Sequence, residues 1–208
     1  MARWLVFSGL AAAGYFLFMR PRHLRWGATD AESKDYLPGD ECIADGFNAA
    51  THAITIDAPV EDVWPWLLQV GRDKSGFYSY TFLENLVGCD IKDEHVIHPE
   101  WQNLKVGDSV KFHPSVPPQP VVALEPLKYL VLGVPEDAEE PWTWAFIVRD
   151  LGNGKTRLVI RIRSLHQGGL KLVRDLAVVE PAHFIMERKM MLTIKALAEK
   201  RARSLRAA

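Results

Sequence analysis

Three clusters of this sequence hold side chains able to move protons or bind a metal. In YSYTFLEN, Glu84 and Asn85 stand beside Tyr78 and Tyr80. A carboxyl, an amide and two phenols together can transfer a proton and hydrogen-bond a carbonyl. A surface position on a short helix explains Glu84 equally well. In EHVIHPE, His95 and His98 lie three apart among Glu94 and Glu100. Histidines at that spacing can share a helical face and hold zinc, but Pro99 follows at once and spacing supplies no third ligand. We expect ordinary loop histidines there and no bound metal. His183 and Glu187 are four apart, which places them on one face of a helix, and an ion pair accounts for them; His166 precedes that helix. No Ser-His-Asp order, phosphate loop, dinucleotide fingerprint or paired-carboxylate signature occurs, so Glu84, His183 and Tyr80 are weak catalytic candidates and no cofactor is expected.

Bulk composition narrows the partners. The 208 residues suit one domain of ordinary size. Lys+Arg number 25 against Asp+Glu 26, a net charge of −1, which lacks the basic surplus that phosphate binding demands and argues against a nucleic-acid partner. Seven tryptophans point to a large apolar interior. Cys42 and Cys89 have no metal spacing and read as free thiols, with a single disulfide as the alternative.

The elements that must position these groups begin with an uncharged run, WLVFSGLAAAGYFLFM, from Trp4 to Met19. As a helix, ~16 residues span roughly 24 Å, short of a hydrocarbon core about 30 Å thick. A signal peptide and a buried helix compete with a short membrane anchor. The weak cleavage site, the Arg20-Pro21-Arg22 that follows and the aromatic residues near both ends favour the anchor. Arg20, Arg22 and Arg25 then place the following domain on the cytoplasmic side. We therefore divide the chain into an anchor helix with its basic flank (1–26), a linker or lead-in (27–50) and a folded domain (51–208).

Within the domain, HAITIDA alternates as a strand and stops at Pro59. Val63, Trp66, Leu67 and Val70 then share one face of a helix that ends at Gly71. A short helix is expected over Tyr80–Val87. Strands follow at roughly 109–113, 119–125, 128–134, 141–150 and 155–164, the last two joined by Gly152-Asn153-Gly154 as a hairpin. Leu170 to about Arg203 reads as a long helix kinked or broken at Pro181. Its basic residues are interleaved with Met190, Met191, Ile194 and Leu197, so the apolar face packs on the sheet and the basic tail can touch anionic lipid.

Strand, two short helices, a run of antiparallel strands and a long C-terminal helix make an α+β fold. ITIDAPVEDVWPWLLQVG, FYSYTFLENLVG, HPEWQNLKVGDSVKF and EPAHFIMERKMMLTIKALAEK resemble the helix-grip superfamily SRPBCC, which includes START domains, Bet v 1 allergens and polyketide cyclases, and in particular its bacterial polyketide cyclase-like branch. The resemblance covers residues 51–203 and implies a curved antiparallel sheet wrapped around the C-terminal helix, with a cavity between them. It implies no one activity, because the fold hosts many.

The hairpin indicates what that cavity would hold. Trp142, Trp144, Phe146 and Val148 share one face by period two, and Leu158, Ile160 and Ile162 share one on the partner strand. With Trp66 and Tyr78, residues Trp142, Trp144, Phe146 and Ile160 are the expected lining of a site for an apolar, lipid-like or aromatic small molecule, although a solid core explains the stripe as well. Arg157, Arg161 and Arg163 point the other way and are expected as a solvated outer face; an anion clamp is their alternative. The resulting expectation is a membrane-tethered carrier or sensor of an apolar ligand. A cyclase or dehydratase using Glu84, His183 or Tyr80 and a partner-binding module with no cavity are the alternatives. Oligomeric state is not legible.

Overall fold

A computed structural model describes residues 14–92, 94–134, 141–165 and 168–207. Six antiparallel strands form one sheet in the order β1-β6-β5-β4-β3-β2. They are β1 (Phe47–Ile56), β2 (Ser109–Val110), β3 (Gln119–Glu125), β4 (Tyr129–Val134), β5 (Trp142–Gly152) and β6 (Lys155–Ser164). The β5–β6 hairpin turns as expected: Asn153 and Gly154 take φ of 53° and 68°, the left-handed pair that a two-residue turn requires. Helix α3 (Val60–Leu68) follows β1, and α4 (Thr81–Leu86) follows it. The C-terminal run is α5 (Gly169–Arg174), a π-helical turn (Asp175–Val179) and α6 (Glu180–Arg206). Pro181 does not break this run. It sits in the first turn of α6, where its missing N–H matters least, and the wider π turn lies immediately before it.

Helix α6 lies on the inner face of the sheet through Glu187, Met190, Met191, Ile194, Ala198 and Ala202, all buried and forming one helical face, each three or four residues from another of the set. At its C-terminal half the space is filled. Helix α3 packs against α6, β5 and β6, and Val63, Trp66, Leu67, Phe146, Val148, Leu158 and Ile160 form one solid core there.

The segment expected as a linker, 27–50, is instead structured, and β1 begins at Phe47, inside it. Thr29 and Glu32 form a reciprocal capping box on α2 (Asp30–Lys34). Leu37 and Ile43 are fully buried, and Leu37 packs on Ala53, Val131, Ala145, Ile147 and Val159 of the outer sheet face. The arginine row is corrected with it. Arg161 is 1 % exposed; its guanidinium donates to Asp40 at 2.6 Å and to the carbonyls of Glu32 and Asp35 at 2.6 and 2.8 Å. Arg157 pairs with Glu32 at 2.7 Å. The outer face is apolar between its arginines, so it needs a cover; Glu32 and Asp40 neutralise Arg157 and Arg161, and Arg163 donates to Asn48 and to the carbonyls of Ile43 and Ala44.

Of the expected anchor, residues 4–13 lie outside the described residues. Tyr15–Met19 form a π-helical turn running into α1 (Arg20–His23). Among the described residues no helix is long and apolar enough to cross a membrane. Beyond α1 the chain lies along the free edge of β1, where Thr51 and Ala53 donate their N–H groups to the carbonyls of Leu24 and Trp26 at 2.9 and 3.0 Å. Gly27 turns the chain away with φ +70°; a Cβ there would meet the Ala53 carbonyl oxygen.

Candidate functional site

At the N-terminal half of α6 the space between helix and sheet is open. A cavity of about 810 Å³ lies there, walled by the start of β1, the ends of β5 and β6, α5, the π turn, α6 and α1. That volume is in the range of small-molecule sites. Its walls are mainly apolar: Phe77, Phe112, Trp142, Trp144, Phe184 and Met190 contribute most of the rings and bulk. The fold explains why the void is at this end. Helix α3 fills the far end, and among the described residues nothing equivalent stands between α6 and the near ends of β1, β5 and β6.

The sequence-derived lining divides accordingly. Trp142 and Trp144 line the cavity. Trp66, Tyr78, Phe146 and Ile160 do not; all four belong to the solid core. Phe146 pairs across the sheet with Ile160, further along the strands from the opening. Tyr78 is held edge to face against Trp66 and its hydroxyl accepts from Gln69 Nε2 at 2.9 Å. Of the acid–base candidates, Glu84 and His183 line the cavity, and Tyr80 is 37 % exposed at the start of α4, away from it. His98 pairs with Glu94 at 2.9 Å, and His95 stacks on Tyr78. Among the described residues no three His, Cys, Asp or Glu side chains are grouped to hold a metal ion. Cys42 and Cys89 are free thiols, and Cys89 lies on the cavity wall.

The least expected feature is the polar cluster in this apolar wall. Glu187 is 2 % exposed. Its Oε1 faces His52 Nδ1 at 2.6 Å, and its Oε2 accepts from Trp144 Nε1 at 2.8 Å and lies 2.6 Å from His183 Nε2. The other nitrogen of His52 is 2.7 Å from the carbonyl oxygen of His23. A carbonyl only accepts, so Nε2 of His52 carries a proton. Burial alone would raise the Glu187 pKa, but the charge and hydrogen bonds of His183 and His52 outweigh it and hold the carboxyl well below the usual range. Burial likewise pushes His52 down, and the Glu187 hydrogen bond and charge, with the His23 carbonyl, more than reverse it. Both shifts favour the imidazolium–carboxylate form of the pair. His183 Nε2 must then donate to Glu187, which fixes the ring's orientation.

At the rim, Arg20 binds Glu180 through Nε and Nη2 at 3.0 and 2.8 Å, and His23 reaches the same carboxylate at 3.0 Å. This joins α1 to the first turn of α6. Sequence reasoning found the His183–Glu187 pair but missed His52, Arg20 and Glu180. His52 had a signal: it shares the inner-face period of β1 with Ile54 and Ile56, where a histidine must find a partner.

A helix held against the concave face of an antiparallel sheet, behind an opening strand and two short helices, decides the architecture. The chain has the helix-grip fold. No family model matches it, and no curated protein does. Solved structures similar to this helix-grip chain include protein MLL2253 from Mesorhizobium loti, at 15 % identity and TM-score 0.41, covering 72 % of this chain and 97 % of that one. The polyketide cyclase-like protein Cgl2372 from Corynebacterium glutamicum is similar at 16 % identity and TM-score 0.33, covering 77 % and 91 %. A norcoclaurine synthase point mutant from Thalictrum flavum, bound to a transition-state analogue, is similar at 15 % identity and TM-score 0.41, covering 73 % and 93 %. The helix-grip assignment rests on this chain's own strand order and helix placement.

Proposed function

We propose that the protein binds an apolar small molecule, lipid-like or aromatic, in the cavity between sheet and α6, and carries or senses it at a membrane surface. The observation that carries this reading is the cavity itself, about 810 Å³ with predominantly aromatic and aliphatic walls. A concave, mainly apolar cavity of that size is the usual form of a small-molecule site. It also weighs against the partner-binding module with a filled core. The tether is supported by the uncharged run from Trp4 to Met19. Phe16, Leu17, Phe18 and Met19 are exposed ahead of the cavity residue Arg20, and Leu170, Val173 and Val178 are exposed on the helical stretch that also walls the cavity. Arg20, Arg22 and Arg25 favour the cytoplasmic side.

Native mass spectrometry of the full chain released from detergent, followed by solvent extraction, tests the binding reading. A discrete co-purifying apolar compound is the expected result. A bare polypeptide mass, with no saturable uptake of an apolar fluorophore, would remove it. Carbonate washing of membranes tests the tether separately; release into the wash would rule out an inserted anchor.

One observation favours a second reading. Glu84 and His183 both face the cavity, which is what proton transfer in a cyclase or dehydratase would need.

A further inference from the structure

The cluster on the cavity wall points to the ligand's polar group, an inference that rests on the binding reading above. His52 and Glu187 neutralise each other, and both are almost fully buried. His183 differs: its side chain is 33 % exposed and belongs to the cavity wall. Its Nε2 is committed to Glu187. The second ring nitrogen, Nδ1, has no hydrogen-bond partner among the described residues. When the ring is neutral, Nδ1 is an acceptor. When the ring is protonated, Nδ1 is a donor and the cluster of His52, Glu187 and His183 carries one net positive charge.

We propose that the ligand is an apolar molecule ending in one carboxylic acid, which docks on His183 Nδ1 with a single proton shared between acid and ring. A carboxylic acid satisfies this nitrogen in both states, donating its O–H to the neutral ring or accepting from the imidazolium as the anion. An alcohol can match both states too, but it cannot neutralise the positive cluster. An alkylammonium meets only the neutral ring. The other titratable groups on the cavity wall do not replace His183 as the acid's partner. On α6, Glu180 already holds Arg20 and His23 of α1. Asp175 of the π turn is held by Arg174 at 2.8 Å. Glu84 of α4, a cavity carboxyl like Asp175, disfavours an anion at its own part of the wall. His113 gives Nε2 to the Val87 carbonyl at 2.9 Å, and Cys89 is a thiol that burial keeps protonated.

The test uses the full chain, with N-phenyl-1-naphthylamine as an uncharged cavity probe and displacement by dodecanoic acid, dodecanol and dodecylamine. At about pH 6 the acid is expected to displace the probe roughly tenfold better than the alcohol, the value of one charge-assisted hydrogen bond. In His183→Phe this preference should shrink to about twofold or less, acid and alcohol being compared within the same variant. Failure of the probe itself to bind would overturn the cavity reading and this inference together. Probe binding with equal displacement by all three amphiphiles, or an acid preference that survives His183→Phe, would overturn the inference alone. Carbon NMR of carboxyl-labelled dodecanoic acid on the wild-type chain needs no variant. The bound carboxyl should stay ionised to lower pH than the free acid; a titration unchanged or shifted upward would contradict the docking.

Discussion

Two buried ion clusters sit on opposite faces of β1 and β6, built from similar ingredients and left in different states. On the outer face, each of the three guanidinium nitrogens of Arg161 is engaged, by Thr51, by Asp40 and the Asp35 carbonyl, and by the Glu32 carbonyl. Leu37 and its neighbours leave no space above them. On the inner face, Glu187 is as deeply buried and as fully hydrogen-bonded, yet its partner His183 borders an empty volume with one nitrogen still open. Burial and strong pairing are common to both, so neither marks function. What distinguishes the inner cluster is that one of its members, His183, lies on the wall of a cavity.

This contrast can be broken experimentally, and the outer cluster should give the largest effect. Arg161→Ala strands Asp40 among apolar side chains and should cost about 3–5 kcal/mol in urea unfolding, with probe affinity in the surviving folded protein unchanged. A ligand-binding defect at constant stability would contradict a purely structural role. Next, Glu187→Gln should cost about 3 kcal/mol, because it leaves the His52 imidazolium without its counter-charge.

The pH profile of unfolding separates the faces without large damage. His52 is raised in the folded state, so its contribution is complete below the ordinary histidine pKa of about 6.5 and is lost as pH rises through the raised value. Glu187 is depressed, so its contribution is complete above about pH 4.3 and is lost as pH falls. Glu32 on the outer face is held down to about 2, chiefly by its hydrogen bonds from Arg157, and its contribution also disappears only on the acid side. Stability lost as pH first rises above about 6.5 therefore reports His52, ahead of the loss that the thiols Cys42 and Cys89, both raised by burial, add at higher pH, and Glu187→Gln should flatten that first part of the limb. An alkaline limb unchanged in this variant would assign it to another group. The smallest effect belongs to His183→Phe, expected within about 1 kcal/mol of wild type because the ring is part exposed and its hydrogen bond is the cluster's outermost.

Much of the fold was legible because periodicity and punctuation agreed. The Gly152-Asn153-Gly154 hairpin, the Pro59 start of α3 and the buried stripe of α6 each had two independent signals. The cavity was legible only in part. Period two puts Trp142, Trp144 and Phe146 on one face, but it cannot say that α3 covers the last of these and leaves the first two open. The same strand held an overlooked sign of two-sided burial: Ala145 and Ile147 make WTWAFIV apolar on both faces. Together with the Thr29-x-x-Glu32 capping box, it marks residues 27–46 as a packed layer. His52 and Glu187 lie 135 residues apart in sequence, and no local pattern links them.

The strip Leu24–Trp26 also has a bearing on solubility. An open strand edge is a template on which other chains can add, and β1 is the long outer strand at one side of this sheet. Two backbone hydrogen bonds from Thr51 and Ala53 cap that edge, and at the opposite side β2 is only two residues long. Cutting the chain at Gly27 to discard its apolar start would uncover β1 and remove Arg20 and Leu24 from the cavity wall in one step. Such a fragment is prone to edge-to-edge association, whereas a cut before Gly14 keeps both edges protected.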